Sequence, residues 1–300
     1  MSSLILMKTF LFILLIISLV APFTFLKTKA VGNTVTEVTS HKLKKNKEEK
    51  IASLTAKSKN IKKNSVVKKA LEQPLHDVKI PDFTKISDIK TKKRKFFEFI
   101  RPAVIKKNNE LLATREKIKT WHEHVSLALP LAKEAEQALS DLVKKYRVNQ
   151  ELSTLAQLNA LLIRVDAIPV PLVLVQAANE SAWGTSRFSR VGLNFFGIWC
   201  YQEGCGMVPN GRDMGEKHEV AAFKSLTGAV NGYFDNINSN KAYRLFRSLR
   251  SDLRTQNKAL DSQVLATGLL PYSERGADYV VDISDMLRHN KDYFLKKNKQ

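Results

Sequence analysis

Cysteine is nearly absent from this 300-residue chain, which contains only Cys200 and Cys205. Two thiols without a nearby pair of histidines are too few for a structural zinc site, which needs four ligands. No histidine or asparagine arrangement supports thiol catalysis, and the sequence predicts no metal and no cofactor. In an oxidising compartment, two cysteines at this spacing predict a local disulfide that closes a tight loop.

Acidic residues are scarce as well, but only in the first half of the chain. Residues 1–149 contain 31 Lys and Arg against 14 Asp and Glu, a net charge of +17. Residues 150–300 contain 18 and 15, a net charge of +3. A basic front half suggests an anionic partner, either nucleic acid, a membrane surface or an acidic polymer of the cell envelope.

The N-terminus narrows that choice. Lys8 precedes an apolar run over residues 9–20, and apolar residues resume at 23–26. Residues 1–30 therefore predict either a signal peptide or a retained membrane anchor, and the sequence leaves both open because the cleavage site at 28–30 is poor. Either interpretation places the body of the protein outside the cytoplasm and argues against a nucleic-acid partner.

Residues 31–75 contain no aromatic residue and alternate Lys with Ser, Asn and Thr. Such a segment has little apolar surface to offset the entropy of ordering, so we predict a Lys-rich disordered linker over residues 31–77. It serves either as a spacer or as an electrostatic contact with the inner membrane or an anionic envelope polymer. Its lack of aromatic residues also argues against binding of single-stranded nucleic acid.

Helical periodicity dominates the remainder, which predicts a helical N-terminal extension over 78–150 and a second domain over 151–300. Pro102 is expected to interrupt or kink the first helical region. Turn residues and one short apolar run predict a hairpin-like lobe between 198 and 224, followed by helices. The predicted fold class is mainly α, with a small β-hairpin lobe.

The residues 171–183 form the most informative stretch, an apolar helix with almost no polar face and with Pro171 and Gly184 as its boundary residues. Glu180 lies near its end and shares a face with Gln176, a candidate substrate-binding residue. Burial disfavours the charged form of a carboxyl, so the pKa of Glu180 is expected to be raised, as a general acid requires. The alternative is a structural ion pair with Arg187 or Arg190.

A raised-pKa Glu next to an aromatic segment and a small β lobe suits the cleavage of glycans. The glycosidic oxygen is a poor leaving group that must be protonated as the bond breaks. Aromatic rings can stack on sugars, and the Asn194 side chain can orient an N-acetyl amide. The candidate aromatic residues are Trp183, Phe195, Phe196 and Trp199, of which at least half are expected to fill the core instead.

Several blocks of the sequence match a known pattern. They are Ala-Asn-Glu-Ser at 178–181, Trp-Gly-Thr-Ser-Arg-Phe at 183–188, Phe-Gly-Ile-Trp-Cys at 196–200, Gly-Cys-Gly at 204–206, His-Glu-Val-Ala at 218–221 and Tyr-Ser-Glu-Arg-Gly at 272–276. With them the chain resembles the bacterial Bax-like proteins, which carry a glucosaminidase domain of the flagellar-muramidase and autolysin type. Ala182 and Leu193 depart from the Gly and Asn usual there, and Ala182 is expected to narrow the cleft slightly.

This resemblance implies a lysozyme-like glucosaminidase fold in the periplasm or cell envelope, acting on peptidoglycan glycan strands. The implied reaction is hydrolysis of the β-1,4 bond after N-acetylglucosamine, with Glu180 as proton donor and Tyr272 and Tyr279 lining the cleft. The alternatives are a muramidase or lytic transglycosylase, which also uses one Glu, and a non-catalytic glycan-binding protein of the same fold.

The second catalytic group stays open at this point. An inverting mechanism needs a carboxylate base, and Glu219 in the predicted lobe is the first candidate. Other candidates are Glu203, Asp213 and Glu216. A mechanism that uses the acetamido group of the substrate needs no second carboxylate.

Overall fold

A buried apolar helix, α4 (Val170–Glu180), lies at the centre of the fold. Every residue from 172 to 178 is buried, as expected for a helix without a polar face. Pro171 occupies the first turn, where its missing N–H leaves no helical hydrogen bond unmade. Helix α4 contacts the first long helix and the last helices of the chain, so its C-terminal end is held from several sides.

The computed structural model describes residues 73–212 and 215–295. The helices in these ranges are α1 (Ile89–Ser126), α2 (Lys133–Lys145), α3 (Thr154–Arg164), α4, α5 (Arg187–Gly192), α6 (Leu226–Ser239), α7 (Arg244–Thr255), α8 (Ser262–Thr267) and α9 (Ala277–His289). The strands are β1 (Trp199–Cys200), β2 (Gly206–Met207) and β3 (Glu219–Ala221). The predicted mainly α fold class with a small β lobe is confirmed.

The predicted signal or anchor at 1–30 and residues 31–72 of the predicted Lys-rich linker lie outside the described residues and stay predictions. Residues 73–77 of that linker are described and contact the folded body: the Leu75 N–H donates to the Val191 backbone oxygen at 2.8 Å, and His76 is buried. Within 73–212 and 215–295, no helix is both long enough and apolar enough to span a bilayer.

Helix α1 differs from its prediction, because Pro102 does not end it. The helix is 38 residues long and continues through Pro102 to Ser126. Its start is capped by the Asp88 carboxylate, which accepts the Thr91 N–H at 2.7 Å. An internal proline costs about 3 kcal/mol through its lost hydrogen bond. The side chain of Pro102 lies on the exposed side, while a buried stripe that includes Phe96 and Ile100 packs into the core and offsets that cost.

The end of helix α4 also differs from its prediction. The helix stops at Glu180, three residues before the predicted end, because Ala182, Trp183 and Gly184 all have positive φ angles of 49°, 59° and 76°. A Cβ at Gly184 would come within 2.4 Å of the Phe83 ring, so this position accepts only glycine. Glu180 therefore lies at the C-terminus of the helix, where the helix dipole disfavours a negative charge.

The β lobe is a three-stranded antiparallel sheet with the order β1-β3-β2. Trp199 pairs with Val220, and Met207 pairs with Val220 from the other side. The predicted disulfide between Cys200 and Cys205 is present and joins the end of β1 to the start of β2. The lobe predicted between residues 198 and 224 is therefore confirmed.

The helices of the extension pack into the same core as the C-terminal part, with side chains from both present in one buried cluster. Asn108 on α1 makes two hydrogen bonds with the Ile168 backbone, at 2.8 and 2.9 Å. Asp166, which lies between α3 and α4, is paired with Arg254 of α7 and with Arg115 of α1. These contacts fix the extension against the elements that position Glu180.

Candidate active site

An open cleft of about 800 Å³ lies at the C-terminal end of α4. Its walls come from α4, from the segment that leads into β1, from α6 and from the loop before α9. The residues that line it are Lys145, Arg147, Asn179, Glu180, Gly197, Ile198, Trp199, Tyr201, Gly232, Asp235, Asn236, Ser239, Asn240, Tyr272, Ser273, Glu274, Arg275 and Tyr279. Predicted site residues Glu180, Trp199, Tyr272 and Tyr279 are therefore brought together.

Glu180 is the partly buried carboxyl of this cleft. Burial raises its pKa above the usual value for a Glu, although hydrogen bonds from Tyr279 and Asn179 and the charge of Arg275 act in the opposite direction. The Tyr279 hydroxyl donates to Glu180 Oε1 at 2.9 Å. The other oxygen, Oε2, faces Gly197, where an added Cβ would lie 3.4 Å away. A carboxyl with a raised pKa and one oxygen beside the cleft can deliver a proton.

A chain of hydrogen bonds leads from the buried Tyr233 to Glu180. Tyr233 donates to Gln176 Oε1 at 2.5 Å, and Gln176 Nε2 donates to the Tyr279 hydroxyl at 3.2 Å. Tyr279 then donates to Glu180. Every donor in this chain points toward the carboxyl, so the chain orients Glu180 through Oε1. Gln176, predicted to bind substrate, is buried and acts through Tyr279 instead.

Several aromatic rings line the cleft. Trp199 is 51% exposed, and its ring stacks on His218 with centroids 4.1 Å apart. Tyr272 stacks on Tyr243 with centroids 4.7 Å apart. Tyr201 also lines the cleft and is 77% exposed. Tyr201 is not among the residues predicted from the sequence, although an aromatic residue inside the disulfide loop was a signal for it.

Besides Gln176, three predicted substrate-binding residues do not line the cleft. Trp183 packs between the rings of Phe96 and Phe97, with centroids 5.7 and 5.3 Å away. Phe196 is buried and stacks on Tyr233 at 4.3 Å. These rings follow the general tendency of large aromatic residues to fill apolar space.

Asn194 is the third of these residues, and its amide group is fully used inside the protein. Its Nδ2 donates to the backbone oxygens of Ile198 and Ala221, both at 2.8 Å. Its Oδ1 accepts the N–H groups of Phe196 and Ile198. Asn194 therefore holds the β lobe against the segment before β1, and no polar atom of its side chain is left to orient an acetamido group.

The two departures from the usual family residues both occur at positive φ. Ala182 has a φ of 49° and is exposed, and it does not line the cleft, so the expected narrowing is not observed. Leu193 has a φ of 53° and is fully buried. Glycine and asparagine tolerate this left-handed conformation better than other residues, which explains why they are usual there.

Glu219, the first candidate for a catalytic base, faces the disulfide loop and does not line the cleft. Its carboxylate accepts the N–H groups of Gly204 and Gly206 at 3.0 and 2.8 Å, and these two bonds lower its pKa. A carboxylate with a lowered pKa and occupied oxygens is a weak base. The geometry gives Glu219 a structural task instead, which is to hold the turn between β1 and β2.

Glu219→Gln is expected to lower the melting temperature and to leave most of any hydrolytic activity. The amide has only one acceptor oxygen, so one of the two glycine N–H groups loses its partner. Thermal unfolding and an activity assay on the same preparation check this. A loss of activity as large as that of a Glu180 variant, at an unchanged melting temperature, would restore Glu219 as the base.

The other candidates for the base also lie elsewhere. Glu203 and Glu216 are exposed on the lobe and do not line the cleft, and Asp213 lies outside the described residues. In the described part of the chain, Asp235 and Glu274 are the carboxylates that line the cleft besides Glu180. Neither residue was predicted to line the cleft, because nothing in the local sequence distinguishes a cleft-facing carboxylate from a solvated one.

Comparisons with known proteins place this chain in a family. Residues 155–292 match the Glucosaminidase family model, described as mannosyl-glycoprotein endo-beta-N-acetylglucosaminidase. The chain is 31% identical to "Protein bax" of Escherichia coli (strain K12) over 204 residues, which cover 67% of this chain and 70% of that protein. No solved structure matches the chain significantly. Helix α4 and its carboxyl lie within the matched range, and Lys145 and Arg147 lie before it.

Proposed function

Because the chain belongs to the Bax-like proteins with a glucosaminidase domain and is therefore a glycan hydrolase, we propose that it is an endo-β-N-acetylglucosaminidase of peptidoglycan. In this proposal it cleaves the β-1,4 bond after N-acetylglucosamine, and Glu180 is the general acid. The observation that carries the proposal is a single partly buried Glu with a raised pKa at the base of an open, aromatic-walled cleft.

Glu180 Oε2 delivers the proton in this mechanism. Oε1 is held by the Tyr279 hydroxyl, so the proton of the neutral acid resides on Oε2, beside Gly197 and the cleft. As the glycosidic bond breaks, the leaving oxygen takes that proton and the carboxylate forms. Tyr279 stabilises this carboxylate, because its hydrogen bond is stronger to a charged acceptor than to a neutral one.

The sugar carbon must then be attacked, and the cleft offers two routes. Water activated by Asp235 or Glu274 gives inversion, whereas attack by the acetamido group of the substrate gives retention. The anomeric configuration of the first product, followed by proton NMR early in the reaction, separates them. Inversion requires one of the two carboxylates, and their Asn and Gln variants then identify which one.

Mass spectrometry of the fragments released from purified peptidoglycan tests the proposed bond. We expect reducing N-acetylglucosamine ends. Reducing muramic acid ends would identify a muramidase, and anhydro-muramic ends a lytic transglycosylase. Binding of the polymer without release of fragments would identify a non-catalytic glycan-binding protein.

Action on peptidoglycan requires a location outside the cytoplasm, which we also propose. The apolar run at residues 9–20 and the Cys200–Cys205 disulfide support it, since such bonds persist in oxidising compartments. Separation of cell fractions tests the location. Recovery of the protein in the cytoplasmic fraction alone would contradict it.

Tyr279→Phe is expected to move the basic limb of the pH–rate profile to higher pH and to lower the maximal rate. Hydrolysis needs protonated Glu180, so activity is present below its pKa and is lost as the pH rises through it. The Tyr279 bond lowers that pKa, so removing the hydroxyl raises it further. Rates measured across pH for wild type, Tyr279→Phe and Tyr272→Phe check this, because Tyr272 lines the same cleft without a hydrogen bond to Glu180 in the described structure. A basic limb that stays in place in Tyr279→Phe would contradict it.

A further inference from the structure

One arginine of the cleft occupies a backbone position that favours glycine. Helix α2 ends with Tyr146 as its C-cap, and Arg147 follows with a φ of 55°. The Arg147 N–H bonds to Lys144 O at 3.1 Å, and the Val148 N–H bonds to Val143 O at 2.9 Å. This is the Schellman arrangement, in which the left-handed residue is usually Gly because it has no Cβ. Ala128 occupies the same arrangement after α1 with a φ of 57°, so a residue other than glycine at this position does not by itself imply a function for its side chain.

Arg147 lines the cleft, as do Lys145 and Asp235. Lys145 Nζ lies 3.6 Å from Asp235 Oδ1, so these two charges neutralise each other. The Arg147 guanidinium has no hydrogen bond or ion pair with any residue in 73–212 or 215–295, and it is exposed. One unbalanced positive charge therefore remains at this end of the cleft.

Both cations come from the extension and precede the segment that matches the glucosaminidase model. The extension thus adds an unbalanced positive charge to a cleft whose proposed catalytic carboxyl comes from the matched domain. An interaction with the helix dipole explains basic residues at a helix C-terminus in general, and Lys144 and Lys145 provide it here. It does not explain an arginine at a position that favours glycine.

We propose that Arg147 binds a carboxylate that is carried by the glycan strand, and that the enzyme therefore prefers anionic strands. The guanidinium is planar and presents paired donors that match the two oxygens of a carboxylate. This inference rests on the proposed function. In peptidoglycan the carboxylate has two possible sources, the lactyl group of a bare muramic acid or the peptide attached to that group.

Two matched pairs of substrates test the proposal with the full chain. One pair is bare glycan strands with free lactyl carboxylates and the same strands converted to methylamides. The other is peptide-bearing strands with free carboxylates and their methylamides. For wild type, we expect kcat/KM to be about tenfold higher on the charged member of at least one pair, because one charge-assisted contact is lost in the amide. The pair that shows the preference identifies the source of the carboxylate.

Arg147→Gly is expected to bring the ratio of kcat/KM on charged strands to kcat/KM on their methylamides close to one. The same variant should keep or raise the melting temperature, since glycine relieves the left-handed strain, and this excludes unfolding as the cause. Lys144→Ala is the matched control. It removes one charge from the same helical turn, but Lys144 does not line the cleft, so the ratio should stay at its wild-type value. In wild type the ratio should also decrease as salt is added.

Two results would overturn the inference. One is a wild-type ratio near one for both pairs of strands, and the other is an unchanged ratio in Arg147→Gly. A wild-type enzyme that releases no fragments from any of the four strands would contradict the proposed function itself.

Discussion

Glu180→Gln is expected to reduce glycan hydrolysis about 10³-fold, within the range that general acid catalysis contributes. The amide has nearly the same shape and can still accept the Tyr279 hydrogen bond through its oxygen, but it has no proton to give to the glycosidic oxygen. Zymography on purified peptidoglycan and the rate of fragment release measure the loss. Clearing equal to that of wild type would remove Glu180 from the reaction.

The same substitution is expected to leave the fold intact and to stabilise it slightly near neutral pH. Burial raises the pKa of Glu180, so its ionised form is disfavoured in the folded protein. Replacing it by a neutral amide removes that unfavourable term, which is a common relation between catalytic residues and stability. Thermal unfolding of the variant therefore distinguishes loss of chemistry from loss of structure.

Glu203→Gln is the matched control for this experiment. Glu203 is exposed on the β lobe and does not line the cleft, so the variant should retain wild-type activity and stability. If Glu180→Gln proves active, Asp235 and Glu274 become the candidates for the proton donor, because they are the other carboxylates that line the cleft in the described ranges.

Asp166→Asn is expected to lower the free energy of unfolding by about 3–5 kcal/mol, the usual effect of removing one partner from a buried ion pair. Arg254 binds both oxygens of this carboxylate, at 2.9 and 2.8 Å, and Arg115 Nε lies 3.7 Å from Oδ2. The buried Arg250 guanidinium donates to the Asp166 backbone oxygen at 3.2 Å. Without the carboxylate, positive charges remain buried where α1, α3 and α7 meet.

Denaturant unfolding of wild type and variant measures this difference. Asp285→Asn is the control, because its ion pair with Arg288 is exposed and should contribute less than about 1 kcal/mol. A similar effect of both substitutions would mean that the buried pair contributes little. The expected loss is a large fraction of the 5–15 kcal/mol typical of folded domains.

The contribution of Asp166 should also depend on pH. Burial would raise the pKa of this carboxyl, but the hydrogen bond from Arg254 and the charges of Arg250 and Arg115 lower it below the usual value. Its stabilising effect is therefore complete above the pKa of the unfolded chain and is lost as the pH falls through the lower pKa of the folded protein. Wild type and Asp166→Asn should become more similar in stability in acid.

The features that could be predicted from sequence are those set by neighbouring residues. An apolar run between Pro171 and Gly184 is sufficient to indicate a buried helix, and an acid near its end is sufficient to indicate a raised pKa. Cys200 and Cys205 are close enough in sequence for their disulfide to follow from spacing and compartment. The β lobe follows from turn residues on both sides of short apolar runs.

The tertiary structure decided which side chains reach the cleft. Gln176, Asn194 and Glu219 are polar residues near the site in sequence, but each makes its hydrogen bonds inside the protein. Gln176 bonds Tyr233, Asn194 bonds Ala221 and Glu219 bonds Gly206, and these partners lie 57, 27 and 13 residues away along the chain, so no local pattern predicts them. The same holds for Trp183, whose neighbours come from helix α1.

The sequence alone thus determined a buried helix that ends in a carboxyl with a raised pKa, since burial and periodicity depend on residues within one helix. Only the tertiary structure decided how that carboxyl is oriented, which other carboxylates line the same cleft, and that Arg147 of the extension reaches it. The physical reason is that a buried polar group must find a partner, and the packing of distant elements determines which partner is within reach.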